Sequence, residues 1–191
     1  MHRGRFAALL LACSVASPVA AQPATAATYV LDPEHSFVQF EVLHFGTSTS
    51  RGRFGPVAGS VVLDRAAGRG EASLRVATAS VDTGLAIFNA RLRQADLLAS
   101  DEHPEAFFSA RQFRFDGDRV AEVRGEFTLR GISQALSLRA LRFRCRQQDG
   151  TEVCGGDFEG EFLRSDFGMT HSLPLVANRV RLLVQVEAFR R

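Results

Sequence analysis

The feature that most constrains this chain is a strict alternation of apolar and polar residues with a period of two. It returns repeatedly along the 191 residues. Between Ser36 and His44, the residues Val38, Phe40 and Val42 share one face while Gln39 and Glu41 occupy the other. A half-buried β-strand requires this pattern, because successive side chains point to opposite faces of a sheet. The same rhythm runs through Ala72–Val76, Val123–Leu129, Phe158–Phe162 and Val180–Ala188. Three less regular runs, at residues 59–64, 106–115 and 135–144, bring the expected count to eight strands. In the last run the apolar phase jumps from Leu136, Leu138 and Ala140 to Leu141 and Phe143, which is how a β-bulge reads in sequence. Turn signals at Ala66–Gly70, Asp116-Gly117 and Arg130-Gly131 separate the runs.

One stretch departs from this rhythm. Leu85, Phe88, Leu92 and Ala95 recur at helical spacing, which predicts one helix over residues 85–98. Eight amphipathic strands and one helix predict an all-β fold, either a closed antiparallel barrel or a sandwich. Closure would remove the exposed edges that promote aggregation. Inward positions mix large Phe40, Phe127, Phe158 and Phe162 with Gly125 and Gly160. Those glycines either open a hole in the interior or make room for a neighbouring phenylalanine.

The N-terminus reads as an export signal over residues 1–21, with Arg3 and Arg5 before the apolar run Phe6–Ala16 and small residues up to Ala21. A cut after Ala27 is the alternative. Leu10-Leu-Ala-Cys13 also resembles a lipoprotein box, although Cys13 lies early in the chain, inside the apolar run, and a usable cleavage site follows it. Residues 22–28 read as a flexible lead-in and 29–191 as the single domain. All 23 basic residues are Arg. Removal of the signal takes away two of them and no acid, leaving 21 against 21 Asp plus Glu. A neutral chain has no compositional support for nucleic-acid binding, and no later stretch reaches the apolar length of a membrane span.

Beyond Cys13 two cysteines remain, Cys145 and Cys154, flanking a polar segment with an Asp149-Gly150 turn signal. An even count in an exported chain predicts a disulfide clamping a hairpin. The alternative, a two-cysteine metal site, has no histidine near either residue. No nucleophile elbow, phosphate loop or paired-histidine helix occurs, so no catalytic or metal-binding residues are assigned and no cofactor is expected. His35 and His44 cannot share a metal on one straight strand, being nine residues and roughly 30 Å apart on opposite faces. His44 reads either as an ordinary histidine at the barrel end or as a polar anchor. Arg164 reads either as the partner of Asp166 or as a contact for an anionic head group. Asp32-Pro33-Glu34-His35 reads as structure leading into a strand.

Taken in order, Tyr29-Val-Leu-Asp-Pro33, His35-Ser-Phe-Val-Gln-Phe40, Gly52-Arg-Phe54, Ser80-Val-Asp-Thr-Gly84, Gly125-Glu-Phe-Thr-Leu-Arg-Gly131 and Arg164-Ser-Asp-Phe-Gly168 resemble the YceI-like family of exported bacterial proteins. The resemblance implies a lipocalin-like, eight-stranded antiparallel barrel that holds a polyisoprenoid-type lipid, polyprenyl or quinone, in its interior. It also implies a periplasmic location and a possible homodimer. Family members often carry Asp and His in the helical segment where this chain has Asn89 and Arg91, which points to a different head group. The expected apolar lining is Phe40, Val42, Leu74, Val76 and Phe108 from the first half, with Phe127, Leu129, Phe158, Phe162 and Val184 from the second. His44, Arg91 and Arg164 are the head-group candidates. The competing expectations are a solid-cored protein-interaction module and an enzyme acting on a lipid or quinone.

Overall fold

The computed structural model describes residues 26–191. The signal read at residues 1–21, with Cys13, lies outside the described residues. Residues 22–25 of the lead-in do too, while Ala27 and Thr28 already belong to the first strand. Ten strand segments follow: β1 (Ala27–Leu31), β2 (Phe37–His44), β3 (Ser48–Phe54), β4 (Val57–Asp64), β5 (Arg69–Ala77), β6 (Glu105–Asp116), β7 (Arg119–Leu129), β8 (Ile132–Gln148), β9 (Thr151–Leu163) and β10 (Val176–Arg190). One helix, α1 (Ala86–Leu92), lies between β5 and β6.

All pairings are antiparallel, and the order β1-β4-β5-β6-β7-β8-β9-β10 closes because β1 also pairs with β10. The same edge of β10 that receives β1 at Ala188–Arg190 receives β2 from Gln185 back to Val176. Hence β1 and β2 are two halves of one broken strand. Because β2 pairs with β3 and β1 with β4, β3 and β4 are likewise halves, separated at Gly55-Pro56. The result is a closed eight-stranded antiparallel barrel with one short helix. The two segments without a sequence expectation, β1 and β3, are the missing halves rather than additional staves.

The break between β1 and β2 is held by polar contacts. Asp32 accepts the Glu34 amide at 3.0 Å and lies 2.5 Å from His35 Nδ1. The buried Ser36 hydroxyl donates to the Glu187 carbonyl and accepts the Glu187 amide, both at 3.2 Å. Asp32–His35 is therefore structural, as its sequence suggests.

Alternation sorts the two faces. Outside, a charge ladder crosses five strands: Arg51 pairs with Glu41, Glu41 with Arg181, Arg181 with Glu159, and Glu159 with Arg139. Exposed pairs of this kind contribute less than about 1 kcal/mol each, and their effect is mainly on register. A polar exterior around an apolar interior is the inverse of a membrane-spanning barrel. The bulge expected in β8 is present, with a register shift between Ala140 and Arg142. The helix is shorter than residues 85–98 because the chain turns back after Leu92, where Leu98 N–H donates to Leu92 O and Arg130 captures the carbonyls of Ala95 and Leu97.

The strand directions define two ends. The base carries the start of β1, the C-terminus and the turns at 65–68, 117–118 and 149–150. Cys145 and Cys154 face each other in the β8–β9 register and are joined by a disulfide. Glu152 lies within 4.8 Å of both sulfurs, but a bridged pair offers no thiolate to a metal. Instead Glu152 binds the barrel together, accepting Tyr29 OH at 2.8 Å, Arg65 Nη2 at 2.5 Å and Arg190 Nη1 at 3.3 Å. Burial raises the Glu152 pKa, but the hydrogen bonds from Tyr29 and Arg65 and the charges of Arg65 and Arg190 outweigh it, leaving a net lowering.

Two predictions follow from the base. Glu152→Leu leaves Arg65 and the Tyr29 hydroxyl without their partner and should lower stability by about 2–3 kcal/mol, against a much smaller loss for the exposed Arg181→Ala, in chemical denaturation. Because the folded-state pKa of Glu152 is depressed, its contribution is complete above about pH 4.5 and lost as the pH falls through the folded value. The gap between wild type and Glu152→Gln should close accordingly. Separately, reducing the bridge should cost about 2–3 kcal/mol for its nine-residue separation. An unchanged denaturation midpoint would contradict that.

Candidate functional site

The interior is solid at the base and hollow toward the opposite end. Tyr29, Leu63, Val120 and Val123 pack the base half, with Tyr29 only 1% exposed. The mouth half contains a cavity of about 330 Å³, within the range of small-molecule sites. Its wall comes from inward positions of every strand from β2 to β10, and it reaches His44, Phe45, Arg91 and His171 at the mouth.

Nine of the ten residues expected to line an interior site do face this cavity: Phe40, Val42, Leu74, Val76, Phe108, Phe127, Leu129, Phe162 and Val184. Phe158 does not. It is buried and inward, but its ring leans to within 3.0 Å of where a Cβ on Gly156 would sit, so it packs into the solid core instead. Leu136, Leu138, Val180 and Leu182 also line the cavity, and their alternation was visible in sequence. Met169, His171 and Ser172 come from an irregular loop that carries no periodic signal.

Phenylalanines shape the upper wall. Phe127, Phe162 and Phe167 form a mutual cluster with ring centroids 5.1–5.5 Å apart, while Phe40 and Phe54 lie 5.5 Å apart on the opposite side. Gly125 and Gly160 neither open the hole nor admit a phenylalanine. A Cβ on Gly125 would lie 2.3 Å from the Ser109 carbonyl, and one on Gly160 would lie 2.6 Å from that of Ser137. They let neighbouring strands approach closely. The glycines that make room for a ring are Gly52, beneath Phe40, and Gly70, beneath Phe113.

The three head-group candidates all border the cavity, but their polar atoms differ in availability. Arg164, 5% exposed, does not pair with Asp166. Its guanidinium donates to the carbonyls of Met169, Val176 and Ala177 at 2.8–2.9 Å. Those of Val176 and Ala177 lie where β10 slips register against β2. Arg164 therefore satisfies carbonyls that the ladder leaves free, and its burial lowers the guanidinium pKa. Arg91 is held in a two-pronged pair with Asp96 at 2.6 and 2.7 Å, and His171 Nδ1 lies 3.1 Å from the same carboxylate. This joins the α1 segment to the 170–175 loop across the mouth. His44 stacks edge-on against Phe45 at 4.4 Å.

The inserted segment 78–104 forms one side of the mouth. Leu98 and Val81 anchor it in a second core with Phe167 and Met169. α1 itself buries no residue, although Phe88 and Leu92 border the cavity. Asn89 ties α1 to the chain before it, accepting the Thr83 amide and hydroxyl and donating to Asp82. That role is structural.

The site is thus a blind, apolar cavity open at one end of a closed antiparallel barrel, a shape and lining that suit a small apolar molecule. Residues 29–188 match the YceI-like domain, and the chain belongs to that family. The protein YceI of Shigella flexneri is 30% identical over 172 residues, covering 88% of this chain and 90% of the relative. A UPF0312 protein of Pectobacterium atrosepticum is 30% identical over 187 residues, covering 96% and 97%. Among solved structures, Burkholderia cenocepacia BcnA superposes with a TM-score of 0.69 at 20% identity, covering 82% of this chain and 98% of that one. A domain of Saccharophagus degradans described as polyisoprenoid-binding superposes with 0.66 at 18% identity, covering 85% and 98%.

The Arg91 pair makes a direct prediction. Its hydrogen bonds hold the Asp96 carboxyl at about 2, below the usual 3.8. An NMR titration should place the Asp96 midpoint near 2, and Arg91→Gln should return it toward 3.8. A wild-type midpoint near 3.8 would show that the pair does not form.

Proposed function

We propose that this protein is an extracytoplasmic, non-enzymatic carrier that holds the tail of an isoprenoid-type lipid in the mouth half of its barrel. The observation that carries this reading is the cavity itself, about 330 Å³ and walled almost entirely by aliphatic and phenyl side chains. The description of the Saccharophagus degradans domain as polyisoprenoid-binding supports it. The Cys145–Cys154 bridge and the N-terminal signal pattern support an oxidising compartment, such as the periplasm.

The energetics suit such a ligand. Each CH₂ moved from water into an apolar site gains about 0.8 kcal/mol, so a branched tail binds without any specific polar contact. Part of that gain offsets the cost of immobilising a flexible chain. With Arg164 and Arg91 engaged by protein groups, the polar head has few fixed donors to meet and stays at the mouth.

Native mass spectrometry of protein purified from its own cells, followed by lipid extraction, tests the reading. An isoprenoid or quinone bound in stoichiometric amount is the expected result. A bare mass that does not change on incubation with such lipids would favour an interaction module instead. Phe127→Asp, with its bridge verified by mass, should lose lipid retention because a carboxylate in the apolar wall must stay solvated. Wild-type retention by that folded variant would contradict an interior site.

A further inference from the structure

Single exposed apolar side chains are ordinary on a protein surface, and only their clustering carries meaning. Here they cluster by end. Of the ten large hydrophobic residues exposed among the described residues, eight lie at or near the mouth: Leu43 and Phe45 around the end of β2, Leu85 and Ile87 at α1, Phe107 and Ile132 at strand starts, and Leu163 and Leu175 around the last loop. Leu141 and Phe189 are the other two. The most exposed are Ile87 at 84%, Leu85 at 62%, Leu175 at 57% and Phe45 at 52%. Phe45 and Leu175 are neighbours, since the Phe45 amide donates to the Leu175 carbonyl at 2.8 Å.

Charge is distributed differently at the two ends. The base turns carry Arg65, Asp118 and Asp149 with Arg69, Asp116, Arg119 and Glu152 flanking them. At the mouth, residues 45–50 and 168–178 contain no Asp, Glu or Arg and a single histidine, His171, while the charges of the inserted segment 78–104 are mixed in sign, at Asp82, Arg91, Arg93, Asp96, Asp101 and Glu102. Of the cationic groups on the rest of the rim, Arg91 is engaged by Asp96, Arg130 by two carbonyls and Arg164 by three, which leaves the exposed Arg93 as a single cation without a side-chain partner among the described residues. No basic cluster is left to attract anionic head groups.

We infer that the mouth end docks on the surface of a lipid bilayer by inserting apolar side chains, led by Ile87, Leu85 and Leu175, with the cavity opening against the membrane. The inference rests on the carrier reading above. The cavity opens within the apolar rim, so whatever covers the rim also covers the entrance. A bilayer lets a tail slide from acyl chains into the cavity without crossing water. A second copy seated on this face would close both entrances instead. Because the attraction is apolar, binding is expected to be insensitive to salt and to need no anionic lipid.

The test compares co-sedimentation with neutral phosphatidylcholine vesicles and uptake of geranylgeraniol, read separately by native mass spectrometry. Ile87, Leu85 and Leu175 do not line the cavity, so Leu85→Ser/Ile87→Ser/Leu175→Ser should take up geranylgeraniol as the wild type does. Its vesicle partition should fall by about tenfold or more. Wild-type partition should persist in about 0.5 M salt, and Leu141→Ser/Phe189→Ser should partition normally. Docking is overturned if the wild type takes up geranylgeraniol but ignores vesicles, if the triple variant partitions like wild type, or if salt abolishes partition. It is equally overturned if the wild type is a dimer that the triple variant splits. Vesicle binding without geranylgeraniol uptake would instead count against the carrier reading.

Discussion

Strand β10 is hydrogen-bonded to β9 along one edge and to β2 and then β1 along the other, and this double pairing turns a meander into a ring. Ring closure gives the period-two pattern its consequence. Once no strand can peel away, every inward residue shares one interior and every outward residue meets water. The Arg51–Glu41–Arg181–Glu159–Arg139 ladder then reinforces register outside, while phenylalanine and aliphatic side chains fill or line the inside. The broken strand β1/β2 lets this edge of β10 stay paired from Val180 to Arg190 beyond the slip at its start, and buried Ser36 satisfies the backbone at the break.

The two ends of the ring solve different problems. At the base, Glu152, Tyr29, Arg65 and Arg190 join four strand regions around the Cys145–Cys154 clamp, and large side chains pack solidly behind them. At the mouth, the connections are longer and are held by side chains that seek backbone carbonyls: Arg130 for the segment after α1, and Arg164 for the loop before β10. Rigid closure at one end makes a lightly packed opening at the other tolerable. α1 has no fully buried residue and is held there by Asn89, by the Arg91–Asp96 pair and by Leu92 against the second core.

Much of this was legible in sequence, and the misses have physical causes. Alternation located the long strands, the β8 bulge and the inward direction of the lining residues. β3 escaped because its inward residues include Ser50 and Gly52, so the two faces of Ser48–Phe54 barely differ in polarity. Gly52 is small because Phe40 needs the space, a relation visible only once β2 and β3 are paired. β1 escaped because it is five residues long and abuts the segment read as a lead-in. Phe158 shows a further limit: period two tells which way a side chain points, but not how deep along the barrel it sits. The roles of Arg164 and Asn89 were not legible either, because both serve backbone groups whose need arises only from the local fold, a slipped register in one case and the lead-in to a short helix in the other.

The measurement that tests the account most directly is the position of a bound tail. Isotope-filtered NOE spectra of the protein with labelled geranylgeraniol would report which side chains the isoprenoid methyls touch. The account predicts contacts to Phe127, Leu138 and Leu182, deep in the mouth-half cavity. Contacts confined to the rim at Phe45, Ile87 and Leu175, with none to the interior, would contradict it.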